Sequence, residues 1–221
     1  MKRIPKQWYD GNCTRCPRLS SYLSQTSRHH PEYHCRPVPP FGDQNARLLI
    51  VGLAPGLHGA NATGRPFTGD HAGILLYETL FDLGIASTKD AVRANDKLKL
   101  DGCRITNAVK CLPPKNTPNG SEINECNTFL AAELGAVPAG GVVITLGGIA
   151  HRAVAKALSL KSVNYPFIHG AKYMLPDGRW LLSSYHCSRY NTQTKRLTKS
   201  MFRSVFYNAA SLAYPDKQSL Q

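Results

Sequence analysis

The sequence predicts an α/β protein, built as a three-layer α/β/α sandwich around a mostly parallel central sheet. Short apolar runs have the composition of strands buried on both faces, and they alternate with stretches that carry apolar residues at helical spacing. A sheet of this kind binds its ligands at the carboxyl ends of its strands. With 221 residues, the chain can build one such fold with a proper core, and we expect a single domain over residues 1–221.

The first part of the chain is an arm that we expect to be irregular. Residues 1–45 are rich in Pro, His, Ser and Arg. Arg47–Leu53 is the first predicted strand, and it leads into Ala54–Asp70, a loop rich in Gly and Pro. Apolar residues at helical spacing predict a helix over Ala72–Leu83, and Gly84 provides its C-terminal stop.

The rest of the chain continues the alternation of strands and helices. Pro176-Asp177-Gly178 is a hairpin turn signal, so we expect the runs on its two sides to pair. The most distinctive loops, after Leu53 and after Ser183, both lie at carboxyl ends of predicted strands. The predicted segments are the strand Arg104–Val109, the loop Cys111–Gly120, a helix from Ser121 to about Leu134, the strand Gly141–Leu146, the helix Ile149–Leu158, the runs Lys172–Leu175 and Arg179–Ser183, and the helix Leu197–Leu212.

The charge of the chain favours a polyanionic partner. The formal net charge is +13 and the sequence pI is about 9.6. Between Arg179 and Arg203 there are six basic residues and no acidic one. Ser, Tyr, Asn and Thr interrupt this stretch, which argues against a membrane-surface helix. A basic face kept for solubility is the alternative, and nucleic acid is the favoured partner.

Membrane insertion and secretion are both disfavoured by the sequence. The apolar stretch Ala136–Ala150 is short for a membrane span and is broken by glycines, so we interpret it as core. Met1–Asp10 is polar and no hydrophobic region follows it, so no secretory signal is predicted. The cysteines of such a chain are expected to be reduced, which favours metal or cluster ligation over disulfides.

Four of the seven cysteines form a candidate metal-binding set. Cys13 and Cys16 are a C-x2-C pair in the arm, Cys111 ends a predicted strand, and Cys126 lies in the following helix. Four thiolates fit a tetrahedral zinc ion or a four-iron cluster equally well by count. A lone C-x2-C pair with two unrelated buried cysteines is the structural alternative. The remaining cysteines are Cys35, Cys103 and Cys187.

The loop after the first predicted strand resembles a phosphate-binding loop only at first sight. Gly59–Pro66 has two glycines at the right spacing, but Arg65 and Pro66 stand where the lysine and the Mg²⁺-binding hydroxyl are required. Nucleotide hydrolysis is therefore disfavoured. Phe67 is either a stacking ring for a ligand or a core aromatic. Asp70 precedes a predicted helix, so an N-cap role competes with a role in chemistry.

Three groups of residues at predicted strand ends form motifs. They are Gly52–Gly56 with His58-Gly59 and Arg65–Asp70, then Ile105–Cys111 with Pro113-Pro114, and finally Ser184–Ser188 with Asn191–Thr194 and Arg196–Thr198. Together they resemble the uracil-DNA glycosylase superfamily, and specifically family 5, the B-type bacterial and archaeal enzymes. The resemblance spans roughly Cys13 to Arg203. Leu53 fits family 5, because family 4 carries Glu there, whereas Cys187 replaces the usual Pro or Val of the last motif.

The resemblance implies a DNA glycosylase that flips a damaged nucleotide into a pocket and hydrolyses its N-glycosidic bond. Uracil is the implied base, with hypoxanthine and etheno adducts as possible further substrates. Families 4 and 5 hold a [4Fe–4S] cluster, which implies Cys13, Cys16, Cys111 and Cys126 as its ligands. The implied partner is double-stranded or single-stranded DNA with a damaged base, bound by a monomer in a prokaryotic cytoplasm, close to the nucleoid.

The resemblance also implies roles for individual residues. His186 would donate to the departing base. Asp70 is the carboxylate left to orient water or to stabilise the sugar cation, since Leu53 is apolar. The implied base-binding residues are Gly52, Ala54, Phe67 and Asn107, and the implied DNA-binding residues are Ser188, Arg189, Tyr190, Asn191 and Arg196.

Two other classes of protein compete with a glycosylase. A non-catalytic nucleic-acid-binding module would use the four cysteines to hold zinc, and it would bind DNA without cleaving a glycosidic bond. A nuclease is disfavoured, because the sequence has no obvious cluster of carboxylates for a two-metal site.

Overall fold

The computed structural model describes residues 4–217, which contain a six-stranded, mostly parallel sheet. Both ends of the predicted domain, residues 1–3 and 218–221, lie outside the described residues. The strands are β1 (Phe41–Gly42), β2 (Leu48–Gly52), β3 (Cys103–Asn107), β4 (Val142–Leu146), β5 (Lys172–Met174) and β6 (Trp180–Ser184). Their order is β1-β3-β2-β4-β6-β5. The inner four strands are parallel, and the edge strands β1 and β5 run antiparallel to their neighbours.

Helices cover both faces of this sheet, so the predicted three-layer α/β/α architecture is confirmed. The helices are α1 (Pro17–His29), α2 (Ala60–Thr63), α3 (His71–Asp82), α4 (Gly120–Gly135), α5 (Gly148–Ala157), α6 (Arg189–Gln193) and α7 (Lys199–Ala213), with 3-10 turns at Pro114–Asn116, Ser162–Asn164 and Pro215–Lys217. All five residues of β2 are buried. Because side chains alternate along a strand, Leu48 and Ile50 pack in the cluster of α3 and α7, whereas Leu49 and Val51 pack in that of α4 and α5.

The expectation of an irregular arm over residues 1–45 is wrong for α1. Leu19 and Leu23 lie four residues apart on its buried face, but the helix is otherwise rich in Ser and Arg, which obscures the pattern. Arg18 donates to both carboxylate oxygens of Glu122 on α4, at 2.7 and 2.8 Å. A helix, rather than irregular chain, therefore attaches the arm to the α4 layer.

The last helix begins later than predicted, and a further helix, α6, was not predicted. In both cases a hydroxyl cap defines the start of the helix. The last helix begins at Lys199 rather than Leu197, because the Thr198 side chain accepts a hydrogen bond from the backbone N–H of Met201 at 3.2 Å. Ser188 caps α6 in the same way, within a segment for which no helix is predicted.

The carboxyl end of β2 is the topological switch point of the sheet. The chain continues from β2 to β3 on one side, whereas from β4, the neighbour on the other side, it continues to β5 and β6 in the opposite half of the sheet. A crevice opens at such a point in open α/β sheets, and ligands bind there. The register pairs Gly52, the last residue of β2, with Asn107, the last residue of β3. Two of the predicted site residues thus meet at this edge.

Candidate active site

A cavity of about 700 Å³ opens at the switch point, within the size range of small-molecule sites. Segments that follow all four parallel strands contribute to its wall. The loop Leu53–Ala60 follows β2, Asn107 ends β3, Leu146–Ala150 follows β4, and the segment from His186 to Arg189 follows β6. Phe67 and Asp70 complete the lining from the loop before α3. Both distinctive loops of the sequence therefore border one cavity, as predicted.

The inner wall of the cavity depends on the absence of a side chain at Gly52. A Cβ atom there would lie 2.4 Å from Oδ1 of Asn107 and 2.7 Å from the Phe67 ring. Glycine is thus required for the amide of Asn107 and the ring of Phe67 to approach each other across β2. Ala54 lines the same cavity. The four residues that the resemblance implies for base binding therefore lie together.

Phe67 has an unusual backbone conformation. Its φ is +53°, a left-handed value that an aromatic residue adopts at a cost of about 1–3 kcal/mol. Its carbonyl oxygen lies so close to Gly73 that a Cβ there would be 1.9 Å away. The side chain is 5% exposed, and its ring stacks against His186 with 5.8 Å between centroids. The surrounding loop therefore holds the ring in place between the cavity and the core.

Asp70 performs the N-cap role and also faces the cavity. Its Oδ1 accepts a hydrogen bond from the backbone N–H of Gly73 at 2.9 Å, at the start of α3. Its Oδ2 is directed at Gly59, where a Cβ would lie 2.5 Å away. Burial raises the pKa of Asp70 above its usual 3.8, and hydrogen bonds from backbone amides partly oppose that rise. One oxygen is thus occupied by the helix start, and the other is on the cavity side.

His186 lies next to Phe67 with its imidazole in the cavity wall. Its pKa falls to about 4 because burial disfavours the charged ring. At neutral pH the ring is therefore neutral and carries one N–H donor. The Asn191 side chain donates to the His186 carbonyl at 2.8 Å, which fixes the backbone of this residue.

Cys187 connects the last motif to the start of α3. Its thiol is fully buried and lies 3.3 Å from the carbonyl oxygen of Ala72. The Pro or Val that usually occupies this position has no donor for that carbonyl. This sulfur contact within the core accommodates the departure from the family pattern. The carbonyl involved belongs to Ala72, two residues after Asp70 in sequence.

The predicted DNA-binding residues all belong to one segment, which follows β6 and contains α6. Arg189 is exposed and lines the cavity, and Tyr190 is 70% exposed. Ser188 and Asn191 have partners within the protein, since Ser188 caps α6 and Asn191 supports His186. The guanidinium of Arg196 lies 4.8 Å from the ring centre of Tyr185. This segment thus combines three exposed side chains, those of Arg189, Tyr190 and Arg196, with two residues that have partners within the protein.

Several residues around the site carry no sequence signal of their own. Asn116 lines the cavity with a φ of +55°, from the loop that follows β3. His71 lies 3.0 Å from the hydroxyl of Thr192, and so connects α3 to α6. His169 accepts a hydrogen bond from the backbone N–H of Tyr185 at 3.0 Å. His71 thus also lines the cavity, whereas His169 contacts the backbone just before His186.

A buried ion pair lies directly behind Asn107. The ammonium group of Lys110 is 2.5 Å from Oε1 of Glu133 and 3.0 Å from the carbonyl oxygen of Asn107. It also donates to Thr106. Lys110 is 2% exposed and Glu133 is fully buried. The pair joins the end of β3 to α4, and no sequence pattern points to it, because its members are 23 residues apart.

The four candidate cysteine ligands lie around one small cavity between the arm and α4. Cys13 and Cys16 come from the arm, Cys111 from the loop after β3, and Cys126 from α4. Burial and, to a smaller extent, the neighbouring Cys126 raise the pKa of Cys16 to about 11. Among residues 4–217, no group of three His, Cys, Asp or Glu side chains is arranged to hold a single metal ion.

Fold and site define a class of protein: an α/β enzyme with a cavity of about 700 Å³ at its switch point, lined by a carboxylate, an imidazole, an amide and a phenyl ring. The family model described as "Uracil DNA glycosylase superfamily" matches residues 39–210. The chain belongs to the uracil-DNA glycosylase superfamily.

Individual relatives place the chain more closely. It is 46% identical to the type-5 uracil-DNA glycosylase of Thermus thermophilus, over 91% of this chain and 94% of the relative. It is 42% identical to the type-5 enzyme of Pyrobaculum aerophilum, over 94% of both chains. A type-4 uracil-DNA glycosylase of Pyrobaculum aerophilum is 34% identical over 73% of this chain and 69% of the relative. The predicted family and enzyme class are confirmed.

Proposed function

We propose that this chain is a monofunctional DNA glycosylase that hydrolyses the N-glycosidic bond of uracil in DNA and so starts base excision repair. One observation carries the proposal: Asp70, Asn107, His186 and the ring of Phe67 line a single cavity. The type-5 relatives, named as uracil-DNA glycosylases, support it. A base within a duplex is out of reach of such a cavity, so the nucleotide must be flipped out of the stack.

In this proposal the base is held between a ring and an amide. Phe67 stacks on the flipped base, and the loop that fixes its backbone keeps the ring from rotating away. The amide of Asn107 faces the polar edge of the base, where it can both donate and accept a hydrogen bond. Gly52 and Ala54 contribute by being small, since they let the base approach the backbone of β2 and of the following loop.

His186 acts on the departing base. Breaking the glycosidic bond leaves the electron pair on the base nitrogen, and the negative charge spreads to the base oxygens. A neutral imidazole donates one N–H to such an oxygen and stabilises the charge without a full proton transfer. The lowered pKa of His186 is consistent with this role, because the ring stays neutral at neutral pH.

Asp70 acts on the sugar side of the bond. The sugar develops positive charge as the base leaves, and the Oδ2 carboxylate oxygen on the cavity side stabilises that charge electrostatically. A water molecule then adds its oxygen to C1′ of the sugar and loses a proton, which Asp70 can accept or pass to solvent. The N-cap hydrogen bond to Oδ1 supports this role, because it holds the carboxylate in one orientation.

The segment that contains α6 provides contacts to the DNA backbone in this proposal. Arg189, exposed at the cavity mouth, is suited to a phosphate of the damaged strand, and such contacts give affinity but not sequence choice. Tyr190 is exposed and large enough to fill the space that the flipped nucleotide leaves. Ser188, Asn191 and Arg196 complete the DNA-binding segment in this proposal, chiefly by holding its backbone. We expect the protein to bind double-stranded or single-stranded DNA as a monomer.

The range of bases is wider than uracil in this proposal. The cavity of about 700 Å³ has glycine and alanine along several parts of its wall, including Gly147 and Gly148 after β4. Such a wall leaves room for a two-ring base. Hypoxanthine presents a carbonyl where adenine has an amino group, so it offers an oxygen acceptor as uracil does. Hypoxanthine and etheno adducts are therefore the further substrates that we propose.

The proposal includes a [4Fe–4S] cluster held by Cys13, Cys16, Cys111 and Cys126. The four thiols line one cavity and come from three separate segments, which is what a structural cluster would join. When bound, the cluster supplies a cross-link between the arm and the α4 layer. Cys111 follows Lys110, which contacts Asn107, so the cross-link also steadies the end of β3.

The place of action follows from the substrate. No helix within the described range 4–217 is long and apolar enough to cross a membrane. The type-5 relatives come from bacteria and archaea. We propose the chromosomal DNA of a prokaryotic cell, and hence its cytoplasm, as the site of action.

A direct assay of base release tests the proposed function. Purified protein is incubated with duplexes that contain uracil, hypoxanthine or only normal bases, and the free bases are separated by chromatography. We expect free uracil and free hypoxanthine, with no release from the normal duplex. Release of uracil alone would restrict the proposal to that base. Absence of any release from protein that is folded and coloured would contradict it.

A further inference from the structure

A cluster of three rings lies at the rim of the active-site cavity. His30 follows α1, Tyr33 lies three residues later, and His58 belongs to the loop after β2 that lines the cavity. The rings of His30 and Tyr33 stack with 4.4 Å between centroids. His58 presents an edge-on ring to both, with centroids at 5.8 and 6.0 Å. The arm and the first motif loop are thus joined by aromatic contacts beside the cavity.

Within this cluster, His58 is the residue available to a ligand. It is exposed, and its Nδ1 is 2.9 Å from the hydroxyl of Tyr33. When the Tyr33 hydroxyl donates to Nδ1, the neutral imidazole carries its proton on Nε2, which is then an N–H donor. Nδ1 of His30, by contrast, lies 3.9 Å from the carboxylate of Glu32.

The geometry of the rings favours a hydrogen-bonded anion over a stacked base. His30 covers one face of Tyr33, and the ring of His58 lies edge-on to this pair. Because His58 is exposed and its Nδ1 is bonded to the Tyr33 hydroxyl, its Nε2 is the ring nitrogen accessible to a ligand. A nucleotide flipped into the cavity leaves its flanking phosphates at the rim, which is where His58 lies. The position and the donor therefore both match a phosphate.

We infer that the ring cluster is a phosphate-binding subsite for the damaged DNA strand. His58 contacts the phosphate, and Tyr33 and His30 position His58. The inference rests on the proposed function, because it requires a flipped nucleotide in the cavity. It adds a contribution from the arm, whose helix α1 ends at His29, to a site otherwise built from the motif loops.

Three variants and one modified substrate test this inference. In His58→Ala the contact is lost, and in Tyr33→Phe only the hydroxyl that orients His58 is lost. His29→Ala is the control, because His29 is exposed and bonded to the carbonyl of Gln25 on its own helix. We expect kcat/KM on uracil DNA to fall roughly 10- to 100-fold for His58→Ala and roughly 2- to 10-fold for Tyr33→Phe, with His29→Ala unchanged.

Neutral methylphosphonate linkages, placed singly at each phosphate next to uracil, separate a phosphate contact from a structural effect. Wild-type protein should lose activity at one position in particular, and His58→Ala should show no added loss there. Tyr33→Phe should show a reduced penalty at that same position. An equal penalty in wild type and in His58→Ala at every position would overturn the inference, as would an unchanged kcat/KM in His58→Ala.

The proposed function can fail separately from the subsite. If wild-type protein released no uracil, the affinities of wild type and His58→Ala for the same duplexes would be measured by fluorescence anisotropy. A position-specific loss of affinity in wild type alone would then support the phosphate subsite without the chemistry. The same loss in both proteins would overturn it.

Discussion

Asp70 accepts a hydrogen bond from the backbone N–H of Gly73 through Oδ1, at 2.9 Å, while its Oδ2 faces Gly59 on the cavity side. The two interpretations of this residue, helix cap and catalytic carboxylate, are therefore compatible. Each oxygen has its own environment. The helix start orients the carboxylate through Oδ1, and Oδ2 places negative charge on the cavity side.

Replacing Asp70 by Asn separates the two roles. Asn caps helices about as well as Asp, so we expect the stability of the fold to be nearly unchanged. The negative charge is lost, so single-turnover cleavage of uracil DNA should fall on the order of 10²–10³-fold. Asp70→Ala is the matched variant, and it should lose activity together with about 1 kcal/mol of stability. Normal single-turnover cleavage by Asp70→Asn would remove Asp70 from the mechanism.

Gly52→Ala should disrupt the base-binding wall. The added Cβ would lie 2.4 Å from the Asn107 amide and 2.7 Å from the Phe67 ring, so one of them must move. Displacements of this size in an active site cost on the order of 10²-fold in rate. Gly120→Ala is the control, because a Cβ there meets nothing within 4 Å. Steady-state kinetics on uracil DNA provide the measurement, and equal kcat/KM in both variants would refute the close approach.

Asp70 and His186, the two residues that we propose as catalytic, should give the acid side of the pH profile a defined shape. Burial lowers the pKa of His186 to about 4, so its ring remains neutral as the pH falls from 7 toward that value. Burial raises the pKa of Asp70 above 3.8, so its active carboxylate form is lost as the pH falls through this raised value. Protonation of Asp70 should therefore contribute to the acid limb of the single-turnover rate, and we expect that contribution to remain when His186 is replaced.

Two measurements check that assignment. An NMR titration of His186 should show an imidazole midpoint near 4, well below the usual 6.5. The pH–rate profile of His186→Asn should keep the acid limb of the wild type at a lower overall rate. A midpoint at or above 6.5 for His186 would contradict the neutral-donor mechanism, because the ring would then carry charge near neutral pH.

Lys110→Met should destabilise the protein more than other lysine substitutions. It leaves the fully buried carboxylate of Glu133 with Arg104 at 3.7 Å but without the cation at 2.5 Å, so we expect a loss of about 3 kcal/mol, the lower end for breaking a buried pair. Lys199→Met is the matched control, because its partner Glu78 lies at the same distance on an exposed surface, where such a pair contributes about 0–1 kcal/mol. Urea denaturation measures both variants. Equal losses of stability in the two variants would show that burial does not increase the contribution of the Lys110–Glu133 ion pair to stability.

Cys16→Ala tests the cluster through colour and stability. We expect the broad visible absorption of an iron–sulfur cluster to disappear, and the unfolding midpoint to fall, because the arm loses its cross-link to α4. Cys103→Ala is the control, since Cys103 is buried in the core away from the four-cysteine cavity and should keep the absorption. Full colour and stability in Cys16→Ala would exclude Cys16 as a ligand. If wild-type protein contained zinc and had no visible absorption, the four cysteines would hold a zinc ion and not a cluster.

The sheet could be predicted from sequence more completely than its surroundings. The predicted strand Arg47–Leu53 corresponds to β2 at Leu48–Gly52, and Gly141–Leu146 corresponds to β4 at Val142–Leu146. Strands that are buried on both faces are continuous apolar runs, which the sequence displays directly. Helix α1 was not predictable in this way, because its apolar positions are few among polar ones.

The residues of the candidate site were also only partly predictable from the sequence. Motif positions around Gly52, Asn107 and His186 could be identified, because they lie at strand ends that the topology brings together. The Lys110–Glu133 pair and the contact between Tyr33 and His58 could not, since each depends on side chains brought together only by the tertiary fold. Which oxygen of Asp70 faces the cavity is likewise a property of the packed loop and not of the pattern.

The most direct test of the central claim is a single incubation of purified protein with a uracil-containing duplex, followed by alkali and a denaturing gel, with the visible spectrum taken on the same sample. We expect strand cleavage only after alkali, from protein with a broad iron–sulfur absorption. An intact strand from colourless, folded, zinc-containing protein would contradict it, and would favour a DNA-binding module without catalytic activity.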